Sequence, residues 1–167
     1  LSIGYVVEYE SDWCSDPAVA GREALIAARQ AIAIDPANSN SHRALAYAQF
    51  YCNRDFNAAK AHADMALAQN PNDQFSMCFL GLALTCHGRV AEGQSYSAES
   101  FKLNPLAPET CLYALALGAY LEGDFAGAVD GFARISGAYD EVLALLAASL
   151  WNLGQHDNAR AAMQRFM

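Results

Sequence analysis

A small residue recurs at a nearly constant interval along this chain. Ala24, Ala59, Gly93, Ala128 and Ala159 stand 35, 34, 35 and 31 positions apart. Other positions keep the same phase. Ala31, Ala66, Ser100, Ile135 and Phe166 follow seven residues later, and Arg54, Gly88, Gly123 and Gly154 come five residues ahead of the last four. Ala46, Leu80, Leu115 and Leu146 precede those in turn, at one shared offset, and Pro36, Pro71 and Pro105 close the first three units. A period of this length restricts the fold to architectures in which one small unit stacks on the next.

Each unit reads as two helices and a turn. Apolar residues follow i, i+3, i+4 spacing, as in Leu80 and Leu84, with Val90 on the next helix. The Gly or Arg between the halves ends the first helix, because Gly adopts the left-handed conformation just past a helix end at little cost. The small residue after it lets the two helices approach closely. The closing Pro stops the second helix, and Asn72-Asp73 then suit the next helix start. The pattern predicts helices over 2–13, 16–34, 39–52, 55–69, 73–87, 90–103, 107–122, 125–136, 139–153 and 156–166. Ser15-Asp16-Pro17 is a start signal, a cap followed by Pro in the first turn.

Over residues 15–167 this pattern resembles the tetratricopeptide repeat. The unit from Gln74 to Ala107 carries the resemblance most fully, with Leu80-Gly81, Gly88, Gly93, Ser100 and Pro105. The unit from Asn40 to Asp73 adds Phe50, Phe56, Ala59, Ala66 and Pro71. There are departures. The later units lack the closing Pro, one is shortened at Ile135-Ser136-Gly137-Ala138, and the large aromatic often found early in the first helix is missing. The resemblance implies an all-α superhelix (solenoid) of about five hairpins in one domain, approximately 1–36, 37–71, 72–105, 106–137 and 138–167.

A finer resemblance concerns context. Trp13 before Asp16-Pro17, the run Ala31 to Pro36, Leu103-Asn104-Pro105 and the run Ala147 to Gly154 are similar to the repeat portion of certain bacterial adenylate/guanylate cyclases. Related segments follow winged-helix regulators. No cyclase or winged-helix motif is present, so this resemblance bears on a parent protein. Leu1 in place of an initiating Met likewise suggests a piece of something longer.

Composition narrows the function classes. A net charge of −8 repels phosphate backbones and anionic lipid heads, which argues against nucleic-acid and membrane-surface binding. No apolar run is long enough to span a bilayer. Five cysteines, Cys14, Cys52, Cys78, Cys86 and Cys111, contain no Cys-x-x-Cys pair, and four lie in apolar helical patterns. They read as reduced and buried. That favours the cytoplasm, with the periplasm as the alternative.

Chemistry is sparse. There is no phosphate-binding glycine loop. His42, His62, His87 and His156 read as scattered over the units, with no metal-ligand spacing. Cys86 and His87 are adjacent, so on a helix they diverge by about 100° and make a poor dyad. Asp12, Asp16, Asp140 and Glu141 sit at helix starts, where they favour the helix dipole. No catalytic residue, cofactor or metal is therefore expected.

The resemblance implies that the first helix of each hairpin lines a concave groove. Its positions transfer to Tyr51 and Cys52, to Phe75, Cys78, Leu82 and Thr85, to Tyr113, Leu117 and Tyr120, and to Trp151. Ala44, Ala48, Cys86, Thr110, Leu121, Glu141, Ala144, Ala148 and Asn152 complete the lining. The lining has no basic residue, unlike grooves that clamp a terminal carboxylate. An aromatic and apolar groove suits an amphipathic helix or apolar peptide. The expected function is thus a non-catalytic module binding a protein or peptide within a larger bacterial regulator. The alternative is a ligand-sensing or dimerisation region, with a second copy as partner, attached to a catalytic domain such as a nucleotide cyclase.

Overall fold

The computed structural model describes residues 1–10, 16–104, 106, 109–136 and 140–164. Within them the chain forms ten α-helices and no strand. They are α1 (Ser2–Glu10), α2 (Pro17–Ile34), α3 (Ser39–Tyr51), α4 (Phe56–Gln69), α5 (Gln74–Cys86), α6 (Val90–Leu103), α7 (Glu109–Leu121), α8 (Phe125–Ala133), α9 (Asp140–Asn152) and α10 (His156–Gln164). The expectations at Trp13, Cys14, Ser15, Pro105, 137–138 and Phe166 lie outside the described residues.

The ends of the helices follow from local chemistry. Asp16, Asn38, Asp55, Asp73 and Asp124 each accept a hydrogen bond from a backbone N–H of the first turn they precede. Such a cap satisfies donors that have no partner inside the helix. Between the halves of four hairpins, Arg54, Gly88, Gly123 and Gly154 have φ of 54°, 82°, 82° and 75°. The next N–H then reaches back into the helix just ended, as from Arg89 to the Leu84 carbonyl at 2.9 Å. This is how a left-handed residue closes a helix. α8 stops three residues short of the expected 136. There the N–H groups of Arg134 and Ile135 bond to the carbonyls of Gly131 and Phe132, tightening the last turn.

Consecutive helices pack as five antiparallel hairpins, α1–α2 to α9–α10. Each first helix also touches the first helix of the next hairpin, whereas consecutive second helices make no such contact. Spacing is therefore tighter on the side of α1, α3, α5, α7 and α9, and the wall curves with those helices inside. Ala24, Ala59, Gly93, Ala128 and Ala159 are all buried at the hairpin crossings. Phe79 anchors the centre, with Tyr47 stacked on it at 4.4 Å and Phe50 edge-on at 5.4 Å.

Two expectations are corrected. Cys78 and Cys111 are not reduced thiols; they form a disulfide between α5 and α7, with α-carbons 4.8 Å apart. Cys14 lies outside the described residues. Nor are the histidines all scattered. His42 on α3 and His62 on α4 belong to one hairpin, with their Nδ1 atoms 3.2 Å apart and rings 5.4 Å apart. His42 Nε2 lies 2.9 Å from the Pro36 carbonyl and donates to it. The Nδ1 of His42 is then the acceptor, and His62 Nδ1–H the donor. Among the described residues no group of three or more His, Cys, Asp or Glu side chains could hold a metal ion.

Candidate functional site

Four hairpins contribute to one cleft of about 430 Å³ on the concave side. Phe50, Tyr51 and Arg54 come from α3 and its turn, Phe56 from the start of α4, and Leu82 and Cys86 from α5. Glu109, Thr110 and Tyr113 come from the first turns of α7, with Ile135 after α8 and Glu141 and Val142 opening α9. The floor is apolar and packed. Phe50 stands edge-on to Tyr51 at 4.8 Å and to Phe56 at 5.3 Å, and Tyr113 leans on Phe132 at 6.0 Å.

The polar groups at the edge have distinct states. The Ser136 hydroxyl donates to Glu109 at 2.5 Å and the Ser136 N–H at 2.8 Å. These bonds hold the Glu109 carboxyl below its ordinary pKa, so it is ionised at neutral pH. Burial, followed by the charge of Glu141, pushes the Tyr113 phenol up to about 12, and the Cys86 charge adds a smaller contribution. Desolvation also raises the thiol of Cys86, although the residue sits at the exposed rim. No arrangement of nucleophile, base and oxyanion donors is formed by these residues.

The structure divides the sequence-derived groove. Tyr51, Leu82 and Tyr113 line this cleft, together with Cys86, Thr110 and Glu141. Cys78 and Thr85 do not, and are corrected. Every residue from Ser76 to Thr85 is buried, because α5 is covered by α6 in its own hairpin and by α7 of the next, and of these ten Leu82 reaches the cleft floor. A helix enclosed on several sides has no apolar stripe from which an open face could be read. Cys52 packs, half-buried, beside Val6, Ala24 and Ala48. Phe75 lies at the start of α5 beneath the Arg43 guanidinium, 5.4 Å from its ring centroid. Leu117 is half-buried between two core clusters, and Tyr120 stands edge-on to Phe125 at 5.7 Å.

Trp151 belongs to a second cleft of about 530 Å³ between α9 and α10, with Ala144, Ala147, Ala148, Ala159, Arg160, Met163 and Gln164. Its ring lies 4.2 Å from that of His156. Sequence reasoning missed Phe50, Arg54, Phe56, Glu109, Ile135 and Val142. It also expected no basic residue in the groove, and Arg54 corrects that. The left-handed turn places Arg54 at the cleft edge, whereas the transferred positions covered only the helices.

No family model matches the chain, and no curated protein matches it in sequence. Solved structures do match its fold. The structure of pilF from Pseudomonas aeruginosa is 20% identical, with a TM-score of 0.73, over 99% of this chain and 74% of that one. A tetratricopeptide repeat protein from Parabacteroides merdae is 13% identical, with a TM-score of 0.71, over 98% and 62%. Cut9, in a hetero-tetramer with Hcn1, is 15% identical with a TM-score of 0.79, over 99% and 33%. The all-helical stack is the tetratricopeptide-repeat solenoid. At these identities the likeness is one of fold.

Proposed function

We propose that this tetratricopeptide-type solenoid is a non-catalytic interaction module that holds a peptide segment of a partner protein in the concave cleft. One observation carries the reading. Helices from four successive hairpins converge on a single cleft whose floor joins Leu82 and Val142 to the half-buried rings of Tyr51 and Tyr113. Half-buried tyrosines give large contact area while losing little rotamer entropy on binding. The Cut9–Hcn1 structure, an assembly of two different proteins on the same fold, supports a protein partner.

A panel of random peptides selected on the chain tests the reading. Tyr113→Ala should weaken the selected peptides by roughly tenfold or more while leaving helical circular dichroism in place. Tyr120→Ala lies outside the cleft and should leave affinity unchanged. Equal binding by the Tyr113 variant would remove the cleft from consideration.

A place inside a larger bacterial signalling protein, as the cyclase resemblance implies, belongs to the same proposal. So does the compartment. Disulfides persist in oxidising compartments, so the Cys78–Cys111 bond supports the periplasm over the cytoplasm. No helix among the described residues is long and apolar enough to cross a membrane. A second reading, a dimerisation region, draws on the open α9–α10 cleft, where Trp151 keeps 54% of its exposure. It predicts a mass that rises with concentration and that Trp151→Glu returns to the monomer.

A further inference from the structure

The charges around the concave cleft are sorted by sign. The inner helices follow in the order α3, α5, α7, α9, each touching the next. Arg54, in the turn after α3, stands at one end of that row. Glu109 opens α7 and Glu141 is the second residue of α9, so both carboxylates stand toward the other end. None of the three forms an ion pair with another described residue. Between Arg54 and those carboxylates, in the same row, lie Leu82 on α5 and the ring of Tyr113 on α7. An exposed charge alone says nothing of a ligand. Here the three share one apolar depression, and none has an ion-pair partner among the described residues.

The state of the acidic end agrees with this geometry. Ser136 donates twice to Glu109 and keeps it ionised. Tyr113 feels the negative field of Glu141. A cation placed there meets two carboxylates, and an anion there meets repulsion.

We propose that the cleft takes a short peptide segment whose apolar anchor seats on Leu82 and the ring of Tyr113. The segment carries a lysine or arginine on one side of the anchor, over Glu109 and Glu141. It carries an aspartate or glutamate on the other side, over Arg54. This rests on the reading of the cleft as a peptide site. Neighbouring helices lie about 8–10 Å apart. Two such steps separate α3 from α7, a span of roughly 16–20 Å. An extended chain advances about 3.3 Å per residue, so the two charges should stand about five or six residues apart.

Partly exposed ion pairs are each worth up to about 1 kcal/mol, or about fivefold in affinity. The test therefore uses capped probes of roughly seven residues, chosen for that reach: acetyl-Lys-Ala-Ala-Leu-Ala-Ala-Glu-amide, a version with two Glu, and a version with two Lys. Each is titrated into the ¹⁵N-labelled chain at low salt and followed by amide shifts. The mixed probe should bind about threefold to fivefold more tightly than either single-sign probe, with shifts at Leu82, Tyr113 and Val142. High salt should erase the difference. Glu141→Lys should turn the preference toward the two-Glu probe, and Arg54→Glu toward the two-Lys probe, so either folded variant suffices. Equal affinities for all three probes in the cleft would overturn the charge assignment alone. Shifts confined to other surfaces, or none, would overturn both it and the peptide-site reading.

Discussion

Gly81 and Gly93 meet backbone to backbone where α5 crosses α6. A Cβ added to Gly93 would lie 2.5 Å from the Gly81 carbonyl oxygen, and one added to Gly81 would lie 2.8 Å from that of Gly93. The Ser97 and Thr85 hydroxyls stand nearer still, but the carbonyl oxygens are main-chain atoms that no rotamer change can move. Thr85 and Ser97 are packed into the same crossing, each with a buried hydroxyl oxygen that has no hydrogen-bond partner among the described residues. The recurring small position in the sequence thus has a direct steric cause.

Alanine favours a helix interior over glycine by about 1 kcal/mol, yet Gly93→Ala should destabilise the chain. The helices would have to separate, and overpacking of this kind costs about 1–3 kcal/mol. Gly4→Ala is the matched control, because a Cβ there meets nothing within 4 Å among the described residues. It should be neutral or stabilise by up to about 1 kcal/mol. The urea midpoint should fall in Gly93→Ala and hold or rise in Gly4→Ala, and a Gly93→Ala midpoint at or above that of the parent would refute the steric account.

The Cys78–Cys111 bond closes a loop with a sequence separation of 33 between α5 and α7. In the chain-entropy description, a loop of that size restricts the unfolded state by about 3–4 kcal/mol. Cys78→Ala with Cys111→Ala should lower stability by about that amount, and peptide mapping of the parent under non-reducing conditions should recover a cross-linked Cys78–Cys111 fragment. Recovery of the two cysteines in separate fragments would show the bond to be absent.

The hairpin period was legible because it rests on steric requirements that few residues meet: a left-handed turn residue, a small crossing residue and a cap. Partnerships between side chains were harder to see. Cys78 and Cys111 lie almost one repeat apart, which in a stacked array brings inner helices side by side. That spacing was a usable signal, yet a lone count of cysteines hides it. His42 and His62 stand ten residues before and ten after Cys52, at the centre of their hairpin, so antiparallel pairing brings them level. Of the groove, Tyr51, Leu82 and Tyr113 were legible because they lie where inner helices normally face inward. Cys78 and Thr85 were not, because α5 is apolar around its whole circumference and its periodicity cannot say which side stays open. Arg54 was read as a helix terminator, which it is; that the same turn carries its charge to the cleft is a three-dimensional fact.

The histidine pair makes stability depend on mild acid. Burial first, then the neighbouring His42 and Arg29, hold the His62 pKa below its ordinary 6.5. Between the lowered folded value and 6.5, the unfolded chain binds more protons than the native one, so stability rises with pH there. The contribution is complete above 6.5 and is lost as the pH falls toward the folded value. Urea midpoints measured downward from pH 8 should decline below about 6.5, and His62→Gln should flatten that decline. An identical pH profile in the variant would assign the effect to other groups.

Tyr113 makes the opposite prediction at high pH and reports on the cleft itself. Its phenol titrates at about 12 in the folded chain, against an ordinary value of 10.0. Between those values the native state holds a proton that the unfolded state has released. Stability should therefore be complete below about 10 and fall as the pH rises toward 12. Ultraviolet difference titration should show a late tyrosinate step that is absent in Tyr113→Phe. Glu141→Gln should bring that late step to lower pH without removing it, because burial is the larger cause and the carboxylate charge the second. If neutralising Glu141 leaves the step unmoved, the carboxylate does not act on the Tyr113 ring.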